Sequence, residues 1–272
     1  MKEERDDFEK GGKTLARKKK NGLGKFWIIM LVLCLALTGF AGYQLVSIIL
    51  DYKAGSDEYD DLEQYVTSEL AEELLWQAET QGGGGVYTSR INFEELKAIN
   101  EEVIAWIEIP DTEINYPVLH RENDNAYYLS HTFQNKVNSS GAIFMEAKNS
   151  PDFSDYHTII YGHNMRVGTM FGTLSDYESP TFLATHPIIY IDVEEGLMQY
   201  QVFSCYKTTA KSNTYTIGFQ PDQVYADFLS NIKERSMYDT GVDVTIEDKI
   251  LTLSTCSEGA KGNRFVVHAK RV

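Results

Sequence analysis

A cysteine, a histidine and an arginine in this chain each stand where a short apolar run begins or ends. Cys256 closes Ile250-Leu251-Thr252-Leu253-Ser254-Thr255. Leu251, Leu253 and Thr255 share one face of that run and Ile250, Thr252 and Ser254 the other, as period-two strand geometry requires. A small polar loop, residues 257–263, follows, and Arg264 then opens a second run with Phe265-Val266-Val267. Two adjacent antiparallel strands would put the thiol and the guanidinium at one rim of a sheet, where a rigid scaffold presents chemistry. His163 has the same setting: Thr158-Ile159-Ile160-Tyr161 ends in Gly162, read here as a flexible residue, and the histidine comes next. Such a set suits acyl transfer. Cys256 would attack a carbonyl, and His163 would protonate the leaving amine and later deprotonate the incoming nucleophile. Arg264, permanently charged, would donate hydrogen bonds to the developing oxyanion or hold the substrate backbone beside it. No Asp or Asn is placed to orient His163. Glu258, two residues beyond Cys256, is a candidate helper, although a solvated loop acid is the plainer reading.

The remaining histidines, His120, His131, His157, His186 and His268, read as structural or solvated, and Cys34 and Cys205 as packing thiols. Three cysteines without a CxxC spacing make neither a disulfide framework nor a zinc site. No metal and no cofactor is expected.

The elements that must position this set follow from the pattern of the chain. Residues 1–25 carry nine Lys/Arg against five Asp/Glu and read as a basic cytoplasmic tail. The other 247 residues carry a net −19, which with the tail's +4 makes the chain's −15 and argues against a nucleic-acid partner. Residues 26–50 form an uncharged stretch of 25 residues, above the roughly 20 that span a bilayer as a helix. Basic residues before it and acids after it place the N-terminus in the cytoplasm and the rest outside, as a single-pass signal anchor in the cell membrane. A cleaved signal peptide is the rival, but its apolar core would run to only about 7–15 residues. Residues 51–90 read as an extracellular helical stalk ending in a hinge at Gly82-Gly83-Gly84-Gly85. Within it, Leu62, Val66, Leu70 and Leu74 recur at i+4 steps, so an amphipathic helix is expected over 57–80, either free-standing or packed on the folded domain.

The catalytic domain is expected over 91–272. Asn92 with Glu95 reads as a helix start. Strands are expected at 103–109, 114–119, 141–145, 157–161, 187–193, 197–206, 250–255 and 264–269, with a helical turn at 125–129. Ser179-Pro180 opens a short helix. A second amphipathic helix is expected over 222–235, with Val224, Phe228, Leu229 and Ile232 on one face. Eight short strands with few helices define a mainly β fold, a closed or nearly closed barrel with peripheral helices.

Several of these stretches resemble one family. TLSTC at 252–256, Arg264 with FVVHAK, and IIYGHNM at 159–165 are similar to class B sortases. So are INFEELKAIN at 91–100, WIEIPDTEINYPVL at 106–119, NAYYLSH at 125–131 and YDTGVDV at 238–244. The resemblance covers roughly residues 91–272. It implies a membrane-anchored cysteine transpeptidase of Gram-positive bacteria, with an eight-stranded sortase barrel and Cys256, His163 and Arg264 as the catalytic trio. It implies Asn125, Leu129 and Ser254 in the substrate groove. It also implies cleavage after Thr in an Asn-Pro-X-Thr-Asn-like motif of secreted surface proteins. The thioacyl enzyme then passes the protein to a peptidoglycan precursor amine, or to a pilin lysine. Glu258 stands where an Asp is the family's expectation. Two other readings share these residues: a membrane-bound peptidase that only hydrolyses, and an inactive binding module that keeps the fold.

Overall fold

The computed structural model describes residues 21–66, 89–256 and 262–272. The residues 1–20, the Gly82–Gly85 hinge and Glu258 lie outside them. Within them the chain forms two compact units, one ending at Ile49 and one running from Leu50 to Val272.

The first unit carries most of helix α1, Asn21–Asp60. Over Gly24–Tyr59 this helix is long and apolar enough to cross a membrane. Its large apolar side chains from Phe26 to Leu50 are exposed, as those of a lipid-facing helix are.

The second unit is a closed barrel with strand order β1-β2-β3-β4-β7-β8-β6-β5. Its strands are β1 Val103–Glu108, β2 Asn115–Leu119, β3 Ile143–Met145, β4 His157–Tyr161, β5 Ile188–Val193, β6 Gly196–Thr209, β7 Ile250–Cys256 and β8 Asn263–Arg271. Only β2–β3 and β4–β7 are parallel pairs. The interior is filled by Ile107, Val118, Ile143, Ile160, Ile191, Leu251, Leu253, Phe265 and Val267. Helix α2, Phe93–Ile99, starts at Asn92, whose Oδ1 accepts from the Glu95 amide at 3.2 Å. The Asn92 amide itself donates to Tyr65 O at 3.0 Å, so the chain before it takes the place of a reciprocal Glu95 cap. Helix α3, Pro180–Thr185, starts at Ser179 as expected, without a side-chain cap bond.

Helix α4, Gln223–Glu234, covers the outer face of β6, β7 and β8. Asp222 caps it by accepting from the Tyr225 amide at 3.1 Å. Phe228, Leu229 and Ile232 face inward as expected, but Val224 is 65% exposed and Tyr225 takes its place in the core. The face is rotated by one position because the Tyr225 hydroxyl reaches Tyr156 O and Asp248 O, at 2.9 and 2.8 Å. Beneath the helix, β7 is buried on both faces. Leu251 and Leu253 point into the barrel, and Ile250 lies under Phe228 and its neighbours. Thr252 shares that outer face. Its hydroxyl bridges His157 Nε2 and His268 Nδ1, each at 2.7 Å.

The helix expected over 57–80 differs from the structure. α1 ends at Asp60, a 3-10 turn follows at Asp61–Tyr65, and Val66 bridges Ile91. Residues 67–80 lie outside the described set. Packing on the domain ends the helix early: Tyr59 and Leu62 are 8% and 2% exposed, inside the barrel's main core. The Tyr59 hydroxyl donates to Gly141 O at 2.8 Å and accepts from the Phe133 amide at 3.2 Å. Of the two arrangements left open for the 57–80 stretch, its described part, 57–66, adopts the packed one. A buried ion cluster ties down the next described segment, with Arg90 2.5 Å from Asp192 and 2.6 Å from Glu108.

Candidate active site

Strand register brings the expected trio to one rim. β4 and β7 run parallel with Tyr161 opposite Ser254, and the Gly162 amide bonds Ser254 O, so His163, two residues past the end of β4, emerges at the rim where β7 ends at Cys256. β7 and β8 run antiparallel with Cys256 opposite Arg264. The end of β7 thus has Arg264 on one side and, past the end of the neighbouring β4, His163 on the other. Beside it is a groove of about 260 Å³. Asn125, Leu129, Ser254, His163 and Arg264 all line it, with Phe144, Tyr161, Ala210, Tyr215 and Thr255.

Gly162 is not a hinge. A Cβ there would lie 2.5 Å from Ile143 Cδ1 and 2.7 Å from Phe171, and its amide is bonded to Ser254 O. The glycine lets the β4 end press against the core, which fixes where His163 emerges. The loop beyond is closed by the Phe171 amide donating to His163 O at 3.0 Å. The imidazole itself is oriented by a backbone carbonyl: His163 Nε2 lies 2.8 Å from Leu129 O. A carbonyl only accepts, so the proton is on Nε2 and Nδ1 is the nitrogen left for proton transfer in the neutral ring. Gly141 backs the ring at φ 59°, and a Cβ there would be 3.0 Å from His163 Cδ2 and 2.5 Å from Tyr128 O.

The groove walls are held by polar contacts that the sequence did not single out. Glu146 Oε2 accepts from Asn125 Nδ2 at 2.7 Å and from the Tyr161 hydroxyl at 2.9 Å. Asn125 Oδ1 accepts from the Ala147 amide at 2.7 Å, so both ends of that amide are fixed. Burial, and then the Glu146 charge, push the Tyr161 phenol well above its ordinary range, so it stays a neutral donor. On the other wall the Tyr215 hydroxyl is 2.9 Å from Ser254 Oγ, and its ring stacks on Tyr161. Arg264 Nη1 donates to Asn263 O at 2.9 Å. Among the described residues no carboxylate pairs with it, so its charge is available to the groove.

Cys205 is confirmed as a packing thiol. It is buried, its Sγ lies 3.1 Å from Tyr177 O, and burial pushes its pKa up. His157 and His268 belong to the buried bridge through Thr252.

Comparison with known proteins agrees with this geometry. The Sortase domain family model matches residues 107–272. Sortase B of Staphylococcus aureus is 34% identical over 248 residues, covering 90% of this chain and 96% of that protein. Sortase B of Listeria monocytogenes is 34% identical over 259 residues, covering 94% and 99%. Among solved structures, the Staphylococcus aureus sortase B–substrate complex superimposes with a TM-score of 0.70 at 35% identity, covering 82% of this chain and 98% of that one. Sortase B from B. anthracis in complex with AAEK1 gives 0.69 at 33% identity, covering 83% and 99%. The chain belongs to the sortase family of cysteine transpeptidases. Its relatives place it in class B, and its activity is the sorting of proteins to the cell wall by transpeptidation.

Proposed function

We propose that Cys256, His163 and Arg264 carry this transpeptidation, on a sorting motif of the Asn-Pro-X-Thr-Asn kind cleaved after Thr. The Cys256 thiolate attacks the Thr carbonyl carbon, and Arg264 donates to the oxygen as it gains charge. The C–N bond breaks and His163 gives its proton to the departing amine. A neutral acceptor amine then attacks the thioester, its proton passes to His163, and the C–S bond breaks to free the thiolate. Asn125, Leu129 and Ser254 hold the motif in the groove, and a peptidoglycan precursor supplies the amine.

Helix α1 is the anchor, with the basic residues before it in the cytoplasm and the barrel outside, where secreted substrates arrive. The observation that carries the reading is that His163 and Arg264 line one groove at the rim where Cys256 pairs with Arg264. The test is a sorting-peptide library offered to the full chain in detergent, with and without an amine acceptor, followed by mass spectrometry. A thioacyl adduct on Cys256 and amine-dependent product are expected. Cleavage that survives Cys256→Ala, or turnover indifferent to amine, would overturn it.

A further inference from the structure

A second cleft of about 540 Å³ opens on the same rim, lined by Lys207, Thr208, Thr209, Ser212, Asn213, Asn231 and Arg235. Its lining has two cations and no acid, in a chain of net charge −15. Arg90 and Arg121 are each paired with carboxylates. Arg235, like Arg264, has none among the described residues. Its guanidinium is held instead by neutral oxygens: Nη1 donates to Ser212 Oγ, Asn213 Oδ1 and Thr214 Oγ1 at 3.0–3.3 Å, and Nη2 to Thr208 Oγ1 at 2.8 Å. Its Cζ lies 4.2 Å from the centroid of the Tyr206 ring. Such a cage orients the fork but, among the described residues, leaves its charge uncompensated and its Nε–H without an acceptor, which suits an incoming carboxylate. Lys207 adds a second charge, in an exposed pair with Glu178 at 2.8 Å.

The position of the cleft is as informative as its charge. Thr208 pairs with Arg264, and Arg264 with Cys256. At an interstrand spacing of about 4.8 Å, the Thr208 backbone is on the order of 10 Å from that of Cys256. The 3-10 turn Asn213–Tyr215 is the ridge between the clefts: Tyr215 faces the first groove and Asn213 the second. A donor peptide in the first groove leaves the second open to whatever attacks the thioester.

We propose that this cleft seats the amine acceptor by its anionic end: a carboxylate of a short peptide docks on Arg235 and Lys207 while its free amine reaches the Cys256 thioester across Thr208. An extended tripeptide spans about 10 Å from amine to carboxylate, the order of the Thr208–Cys256 separation, and Arg235 Nη2 lies one hydrogen bond beyond Thr208, 2.8 Å from its hydroxyl. The inference rests on the transfer reading above for its consequence, though not for the binding itself.

Triglycine and triglycinamide are the probes, since they differ only in that carboxylate. With the full chain in detergent and a cleavable donor peptide, KM for triglycinamide is expected to exceed that for triglycine by about tenfold, the worth of one charge-assisted contact. Arg235→Gln should bring the ratio near one, and Lys207→Gln should lower it in part. Because the ratio is taken within each variant, general damage to the turn cancels. Equal KM values in the unaltered chain, or a preference that survives Arg235→Gln, would overturn the proposal. Calorimetric titration of the Cys256→Ala chain with both probes reads the cleft without turnover. Tighter binding of triglycine supports the site even if no donor peptide is ever acylated, in which case the transfer reading fails alone. Equal binding of the two removes the site.

Discussion

A methyl group added at Gly162 would meet Ile143 and Phe171 inside 2.8 Å, so Gly162→Ala should destabilise the fold by about 1–3 kcal/mol through overpacking, read as a lowered Tm. Gly141→Ala tests a different matter. Its backbone sits at φ 59° and its Cβ would press on Tyr128 O and the His163 ring. Acylation of a donor peptide should fall by about tenfold or more, because a misplaced general acid loses most of its contribution. The stopped-flow rate of thioester formation checks it. The candidate residues were legible in the sequence, since Cys256, His163 and Arg264 each stand where an apolar run begins or ends, a local signal. Their supports were not. The Leu129 carbonyl that orients His163 is 34 residues away, and Tyr215 and Ser254 meet across 39. No periodicity encodes such contacts.

Helix α4 and the strands beneath it form the second core, and its energetics are specific to position. Phe228 packs on Phe219, with ring centroids 4.5 Å apart, and on His157 at 5.2 Å. Phe228→Ala should cost about 3–5 kcal/mol, whereas Val224→Ser, on the exposed side, should change stability by less than about 0.5 kcal/mol. Denaturant melts of the two variants compare them directly. The sequence pattern placed the helix correctly but assigned Val224 inward, because an i, i+4 spacing cannot see that the neighbouring tyrosine has two carbonyls to reach.

The same layer predicts an acid response. Burial holds His157 down to about 4, and His268 is also held well below its ordinary value by burial, then by His157 and Arg235. Both folded-state values lie below those of the unfolded chain. Stability is therefore full above about pH 6.5 and falls as pH drops toward 4, where only the unfolded chain takes up the protons. Each such pH unit is worth about 1.4 kcal/mol per histidine. Replacing His157 with Gln should flatten the dependence of Tm on pH in this window.

At the scale of the whole molecule, the catalytic unit starts earlier than its strand pattern shows. Asp51, Glu58, Tyr59 and Leu62 all touch the barrel: Asp51 accepts from the Ser139 amide and hydroxyl, and Glu58 accepts from the Gln134 amide at 3.0 Å. A chain beginning at residue 91 loses these contacts and exposes the core under Tyr59 and Leu62. It should melt well below one beginning at residue 51, by at least about 3 kcal/mol of lost burial. Scanning calorimetry of both checks it. The eight strands and their order of appearance were readable from alternation and turn residues. The docking of 51–66 was not, since an amphipathic stretch looks the same on a stalk and on a barrel.

Because the sheet closes on itself, each of its strands has a neighbour on both sides. A linear signal arriving here meets no edge strand to extend, which is the common route for reading extended peptides. Discrimination falls to a handful of side chains, so tolerance for altered letters in the signal should be uneven, strict at some letters and loose at others.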